Sequence, residues 1–215
     1  MEAAMPGESS ALGAPEKLAR TGVPGRLLEA ATRLFAQQGF ESTSVQEVVE
    51  AAGVTKGAMY HYFGSKDDLL YEIYHRVLSV QMERLEKLLS GDGSYAERVH
   101  AAAADVVMTS IANLDDTVIF FRSMHMLGTE KQALVRAERR RYHERFREVI
   151  SDGQAAGEFR TDVPADLVVD YYFGAVHHLG IWYRRKGRLS GRKVAEHYGD
   201  MLISSLRTQS PLAKT

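Results

Sequence analysis

From residue 25 to near the C-terminal end, apolar side chains recur at helical spacing, and no window alternates polar and apolar residues as a half-buried strand requires. Such a chain can bury its apolar stripes only by packing helix on helix, so the expected fold class is all-α. With 215 residues, 45% of them hydrophobic, there is material for a substantial core in one or two domains. The clearest interruption is "SGDGS", residues 90–94. It divides an N-terminal unit at 25–89 from a larger helical bundle at 90–215. Residues 1–24, rich in Gly, Pro, Ala and Ser, read as a disordered arm without a secretory apolar stretch.

Within the first unit the helix signals are closely spaced. Leu27, Leu28, Ala31, Leu34 and Phe35 form one helical face, stopped by Gly39. Ser44 and Glu47 have capping-box spacing, Val45, Val48, Val49 and Ala52 make the buried stripe that follows, and Gly53 ends it. Thr55 can cap a short third helix and Ser65 a long fourth one, whose first turn carries Asp67 and Asp68. Beyond the break, helices are expected near 95–113, 116–127, 130–152, 164–186 and 191–208.

Residues 44–62 therefore read as helix, tight glycine turn, helix, the pattern of a helix-turn-helix whose second helix enters the DNA major groove. "GVTKGAMYHYFGSK" contains features that suit this role. Gly57 would let the backbone approach a base, Thr55 and Lys56 sit at the positive helix end, and Tyr60 and His61 would donate to phosphates. Lys66 would form a second phosphate clamp, and Thr43 with Ser44 a third. Met59 and Phe63 would point into the core. Spacing alone leaves a purely structural helix pair open, because the net charge is −1 and Glu47, Glu50, Asp67 and Asp68 offset the nearby lysines.

Residues 27–70, "LLEAATRLFAQQGFESTSVQEVVEAAGVTKGAMYHYFGSKDDLL", resemble the DNA-binding domain of the tetracycline-repressor (TetR) family. They follow its A-x-x-L-F-x-x-x-G-F/Y helix and its A-G-V-[ST]-x-G-x-x-Y-x-[YH]-F-x-x-K-x-x-L stretch. Val49, Glu50 and His61 are small departures. The resemblance implies a ligand-responsive transcriptional regulator: a homodimer that binds a palindromic double-stranded operator, with its two reading helices ~34 Å apart. It also implies a dimer interface built from the last two helices. Tyr171 and Ala175, with Val194, Tyr198, Met201, Leu202 and Ser205, are the candidates, although an intramolecular core would use the same stripes. Repression and activation are both compatible with the sequence.

The second unit carries large apolar residues with isolated polar ones, which suits a hydrophobic effector with a polar handle. Phe120, Phe121, Met124, His125, Phe146, Phe173, His177 and Trp182 are the candidate lining residues. In "VRAERRRYHERFR", residues 135–147, Arg136, Arg140 and Arg147 share a face. They either form a solvated surface laced with glutamates or bind phosphates. "GEFRTDVPADLV" and "IWYRRKGRLS" look like segments of relatives that sense acyl-CoA thioesters of fatty-acid or steroid catabolism, which would favour phosphates. A drug or another apolar effector is the alternative.

No cofactor or metal is expected. Cysteine is absent, and His177 and His178 diverge by about 100° on a helix. The absence of a Gly-rich phosphate loop, nucleophile elbow or HExxH motif argues against the rival class, an all-helical enzyme or carrier. No stretch is apolar enough to span a membrane, so a cytoplasmic protein is expected.

Overall fold

Short polar side chains start three of the N-terminal helices where their spacing predicted. The computed structural model describes residues 22–114, 119 and 122–208. Helix α1 (Gly22–Gln38) is followed by α2 (Val45–Ala52), α3 (Lys56–Tyr62), α4 (Lys66–Leu89) and α5 (Tyr95–Ala112). A 3-10 turn (Met124–Met126) leads into α6 (Thr129–Ala155), and α7 (Ala165–His177), α8 (Leu179–Trp182) and α9 (Gly191–Leu206) complete the order. The capping box of α2 is complete: the Ser44 side chain accepts from the Glu47 N–H, and the Glu47 carboxylate accepts from the Ser44 N–H. Gly53 closes α2 with φ 62° and ψ 43°, a left-handed conformation that suits glycine. Thr55, Ser65 and Ser94 cap α3, α4 and α5 in turn.

Three expected elements differ. The first helix already begins at Gly22, with Pro24 in its first turn, where a missing N–H breaks no helical bond; the rest of the expected arm, residues 1–21, lies outside the described residues. The helix expected over 164–186 is divided at His178 and ends at Trp182. Leu179 and Tyr183 beyond the break, 0% and 5% exposed, belong to the second core. Of the helix expected over 116–127, residues 115–118, 120 and 121 lie outside the described residues, and Met124–Met126 form the 3-10 turn.

Packing divides within α4 and not at Leu89. Its first half contributes Leu69, Leu70, Ile73, Tyr74 and Leu78 to a core shared with α1, α2 and Met59 of α3. Its last turns contribute Leu85 and Leu89 to a second core with α5, α6, α7 and α9. Ile119, Leu127 and Val135, from far beyond the "SGDGS" break, belong to the first core. The N-terminal unit is thus completed by the start of α6. Leu127→Ala is expected to reduce stability by about 2–5 kcal/mol in equilibrium urea unfolding, even though Leu127 lies outside the helix-turn-helix segment.

Candidate nucleic-acid interface and effector cavity

Helix α3 buries one side chain completely, Met59, and leaves Thr55, Lys56, Gly57, Tyr60, His61 and Tyr62 exposed. Tyr60 and Tyr62 are 54% and 49% exposed, and Tyr62 packs edge-on against His61 with ring centroids 4.9 Å apart. Two large aromatic rings held in solvent at the end of a seven-residue helix gain little from the protein's own interior. Phe63, half-buried, packs against the first core as expected. Gly57 has ordinary helical geometry, and a Cβ placed there would meet only the Thr55 hydroxyl, at 3.8 Å. Nothing within the fold requires glycine, although it weakens a helix by roughly 1 kcal/mol relative to alanine.

Two expected phosphate contacts are put to other uses. Thr43 is fully buried, and its hydroxyl donates to the Gly39 carbonyl at 2.7 Å. It fastens the turn between α1 and α2 and cannot reach a phosphate from there. Lys66 donates to the carbonyls of Phe40 and Thr43, each at 2.7 Å, and its ammonium lies 4.4 Å from the centre of the Phe40 ring. Burial lowers its pKa, opposed by Glu41 and Glu47. The expected clamp is therefore a pin that holds the α1–α2 turn against the start of α4. Ser44 remains exposed as a cap.

In the larger unit, α4, α5, α6 and α7 line a partly open cavity of about 60 Å³. Val77, Leu78 and Gln81 line it from α4, Val106 and Ser110 from α5, Arg139, Tyr142 and His143 from α6, and Phe173, Val176 and His177 from α7. Beside it runs an open groove of about 510 Å³ between α6 and α7, lined by Arg136, Arg139, Arg140 and Arg147 with Asp166 and Asp170. Arg139 and His143 face both recesses. They stand four residues apart on α6, a spacing that puts side chains on one face, and that spacing could have marked them in the sequence. His143 stacks on Phe173 with centroids 4.1 Å apart, and a guanidinium nitrogen of Arg139 lies 3.1 Å from the His177 ring. Burial, reinforced by the Arg139 charge, pushes the pKa of His143 down to about 4 and that of His177 to about 3. Both imidazoles are neutral at pH 7.

Of the expected lining residues, Phe173 and His177 reach the cavity, and Arg136 and Arg140 the groove. Phe146 does not: it is fully buried, stacked on Tyr172 and edge-on to Phe173. Met124 packs against the first core, His125 is exposed, and Trp182 is 47% exposed on α8. Phe120 and Phe121 lie outside the described residues. Arg145 points elsewhere, to Glu86 and Glu148, as a solvated face would. Among the described residues no group of three His, Cys, Asp or Glu side chains could hold a metal ion.

The expected dimer face divides in two. Val194 and Leu202, 2% and 1% exposed, are part of this chain's own core, because the inner side of α9 lies along α5. Tyr171 and Met201 are exposed, and Ala175, Tyr198 and Ser205 are half-buried. Leu167, Ile181, Trp182 and Leu189 are further exposed apolar side chains on and around α7, α8 and α9.

A capped helix-turn-helix presenting polar and aromatic side chains, joined to a helical bundle with a cavity, defines a DNA-binding regulator with a sensory domain. Comparison with known proteins identifies the family. Residues 27–73 match the model for bacterial regulatory proteins of the tetR family, and residues 92–206 match the tetracyclin repressor-like C-terminal domain. The chain belongs to the TetR family of transcriptional regulators, which are not enzymes. It is 25% identical to the HTH-type transcriptional repressor KstR2 of Mycobacterium tuberculosis over 187 residues, 85% of this chain and 92% of that one. The structure of the TetR family regulator PfmR from Thermus thermophilus is 30% identical, covers 85% of this chain and 100% of its own, and superimposes with a TM-score of 0.77. AibR in complex with isovaleryl coenzyme A and operator DNA shares the fold at 24% identity and a TM-score of 0.71, over 84% of this chain and 96% of its own.

The two neutral histidines have a consequence for stability. Their folded pKa values lie below 6.5, so the unfolded chain takes up protons first as pH falls. Their contribution to stability is present above about pH 6.5 and is lost as pH falls toward their folded values. A His143→Gln/His177→Gln variant is expected to show a shallower fall in stability between pH 6.5 and 4 than the parent, measured by urea unfolding across that range.

Proposed function

We propose that this regulator is a homodimeric repressor in the cytoplasm. It occupies a palindromic operator through paired α3 helices and leaves it when a coenzyme A thioester fills the cavity and the groove. The observation that carries this reading is the course of α6. Its first turns bring Val135 into the core beneath the reading helix, and Lys131 bridges Asp67 and Asp68 at the start of α4. Its middle carries Arg139, Tyr142 and His143 on the cavity and Arg136 and Arg140 on the groove. The Nδ1 atom of His75 on α4 lies 2.9 Å from the Glu138 carboxylate, one residue from Arg139. A ligand that shifts α6 or α4 by a fraction of a turn would therefore shift the base of the reader. In a twofold dimer that changes the separation of the two reading helices and puts one half-site out of register.

The groove arginines support the ligand class, since guanidinium groups bind phosphates bidentately. The complex of AibR with isovaleryl coenzyme A and operator DNA supports the same pairing of ligand and target. Tyr171, Ile181, Trp182 and Met201 support the dimer: large apolar side chains at 47–67% exposure gain from burial against a second copy. Thr55, Lys56, Gly57, Tyr60 and His61, with Ser44, are the residues assigned to DNA.

Gly57 tests the assignment. Gly57→Ala is expected to raise stability by about 0.5–1 kcal/mol while weakening operator binding about tenfold or more. The measurements are thermal unfolding and a gel-shift titration with the DNA upstream of its own gene. Unchanged operator affinity in a stabilised variant would remove the DNA-clearance role from Gly57, and no shift by the parent at low salt would remove the operator.

A further inference from the structure

A chain that reads DNA has to meet phosphates, yet its reading unit carries more acid than base. Residues 25–89 hold seven Lys and Arg against nine Asp and Glu, and Lys66 is turned inward onto carbonyls. The densest run of cations lies elsewhere, in "RRKGRLSGRK", residues 184–193, with six Lys and Arg and no acid among ten residues. All six side chains are exposed. Lys193 pairs with Glu196 at 3.2 Å, and among the described residues the other five form no ion pair. Asp115 and Asp116, which follow α5 in the chain, lie outside the described residues, and with Glu196 they are still too few to cancel six cations.

This loop joins α8 to α9 at the end of the bundle nearer the reading helix. A Cβ placed at Gly191 would lie 3.1 Å from Ile111, and Arg185 donates to the Ala112 carbonyl at 3.5 Å, both in the last turn of α5. That end of α5 stands beside residues 74–78 of α4. Ser110 shares the cavity wall with Val77 and Leu78, and the Tyr74 hydroxyl donates to the carbonyl of Ile119, a short way beyond α5. At 1.5 Å per residue this level is about 12–18 Å along α4 from Lys66, whereas the far end at Leu89 is about 35 Å away. In the twofold operator arrangement the duplex between the half-sites runs beneath the near end of both bundles. The N-terminus of α9, capped by Ser190, adds the positive end of a helix dipole there. Across such a gap the loop acts through its field, because the Debye length is about 8 Å at 0.15 M ionic strength and about 30 Å at 0.01 M. We propose that residues 184–193 attract the phosphate backbone of duplex DNA whatever its sequence and speed its capture by α3. The inference rests on the twofold operator reading above and adds a second DNA-facing surface to it.

Charge reversal tests this. The side chains of Arg188 and Arg192 make no hydrogen bond or ion pair among the described residues, so Arg188→Glu/Arg192→Glu leaves the contacts of the fold in place. Lys87→Glu/Arg207→Glu makes the same change in net charge on two exposed side chains at the far end of the bundle. The measurement is stopped-flow association of the full-length protein with two fluorescent duplexes, one carrying the DNA upstream of its own gene and one a scrambled sequence. Association of the loop variant is expected to be about tenfold slower on both duplexes at about 10 mM salt, and less than about twofold slower at about 0.15 M. The far-end variant is expected to associate as the parent does. Equal slowing by the two reversals, or none by either, would overturn the proposal, and so would slowing confined to the operator duplex. Parental DNA association combined with weaker calorimetric binding of free coenzyme A would also overturn it, assigning the loop to a ligand's phosphates instead. Sedimentation of the parent reads the arrangement separately: a monomer would remove the twofold reading, and the rates would still decide the loop.

Discussion

Helix α4 is buried in two cores at once. Leu69, Leu70, Ile73 and Tyr74 hold its beginning beneath the reading helix, and Leu85 and Leu89 hold its end in the sensory bundle. Between them, Val77, Leu78 and Gln81 form a wall of the cavity. A helix of 24 residues resists bending, so the two cores cannot move independently along it. Its neighbour α6 repeats the arrangement in the same chain direction, with Val135 in the first core and Phe146 and Ile150 in the second. These two shared helices tie the walls of the cavity to the core beneath the helix-turn-helix, and interfaces packed to protein density shift as units.

The positions proposed for function are also those where the fold is least favourable to itself. Gly57 weakens α3 and nothing inside the protein requires it. Tyr60 and Tyr62 leave much of their ring surface in water. Arg139, His143 and His177 bring polar groups to a recess also lined by Val77, Val106, Phe173 and Val176, and burial keeps the two imidazoles neutral. By contrast Thr43 and Lys66, which look like DNA contacts in one dimension, satisfy carbonyls of the α1–α2 turn. They fasten that turn and hold it against the first residue of α4.

Much of the fold was legible because its signals are local. The capping box at Ser44 and Glu47, the left-handed Gly53 and the caps at Thr55 and Ser65 each depend on residues within one turn of each other. The site was less legible. The groove face of Arg136, Arg140 and Arg147 follows from helical spacing on α6. The cavity gathers single residues from four helices, and nothing in the local pattern distinguishes Val77, Val106 or Ser110 from ordinary core positions. Phe146 and Trp182 share a chemical character, yet one is fully buried and the other half in solvent.

The amino-acid sequence by itself determined the N-terminal helices, their caps at Ser44, Thr55 and Ser65, the all-α class and the helix-turn-helix. Those follow from periodicity and from hydrogen bonds within a few residues. Only the tertiary structure decided that α4 and α6 each belong to two cores, that Val194 and Leu202 serve this chain's own interior, and that Arg139 with His143 stands between cavity and groove. An apolar stripe states that a helix face must be covered. Which helix covers it depends on the packing of residues that lie dozens of positions apart.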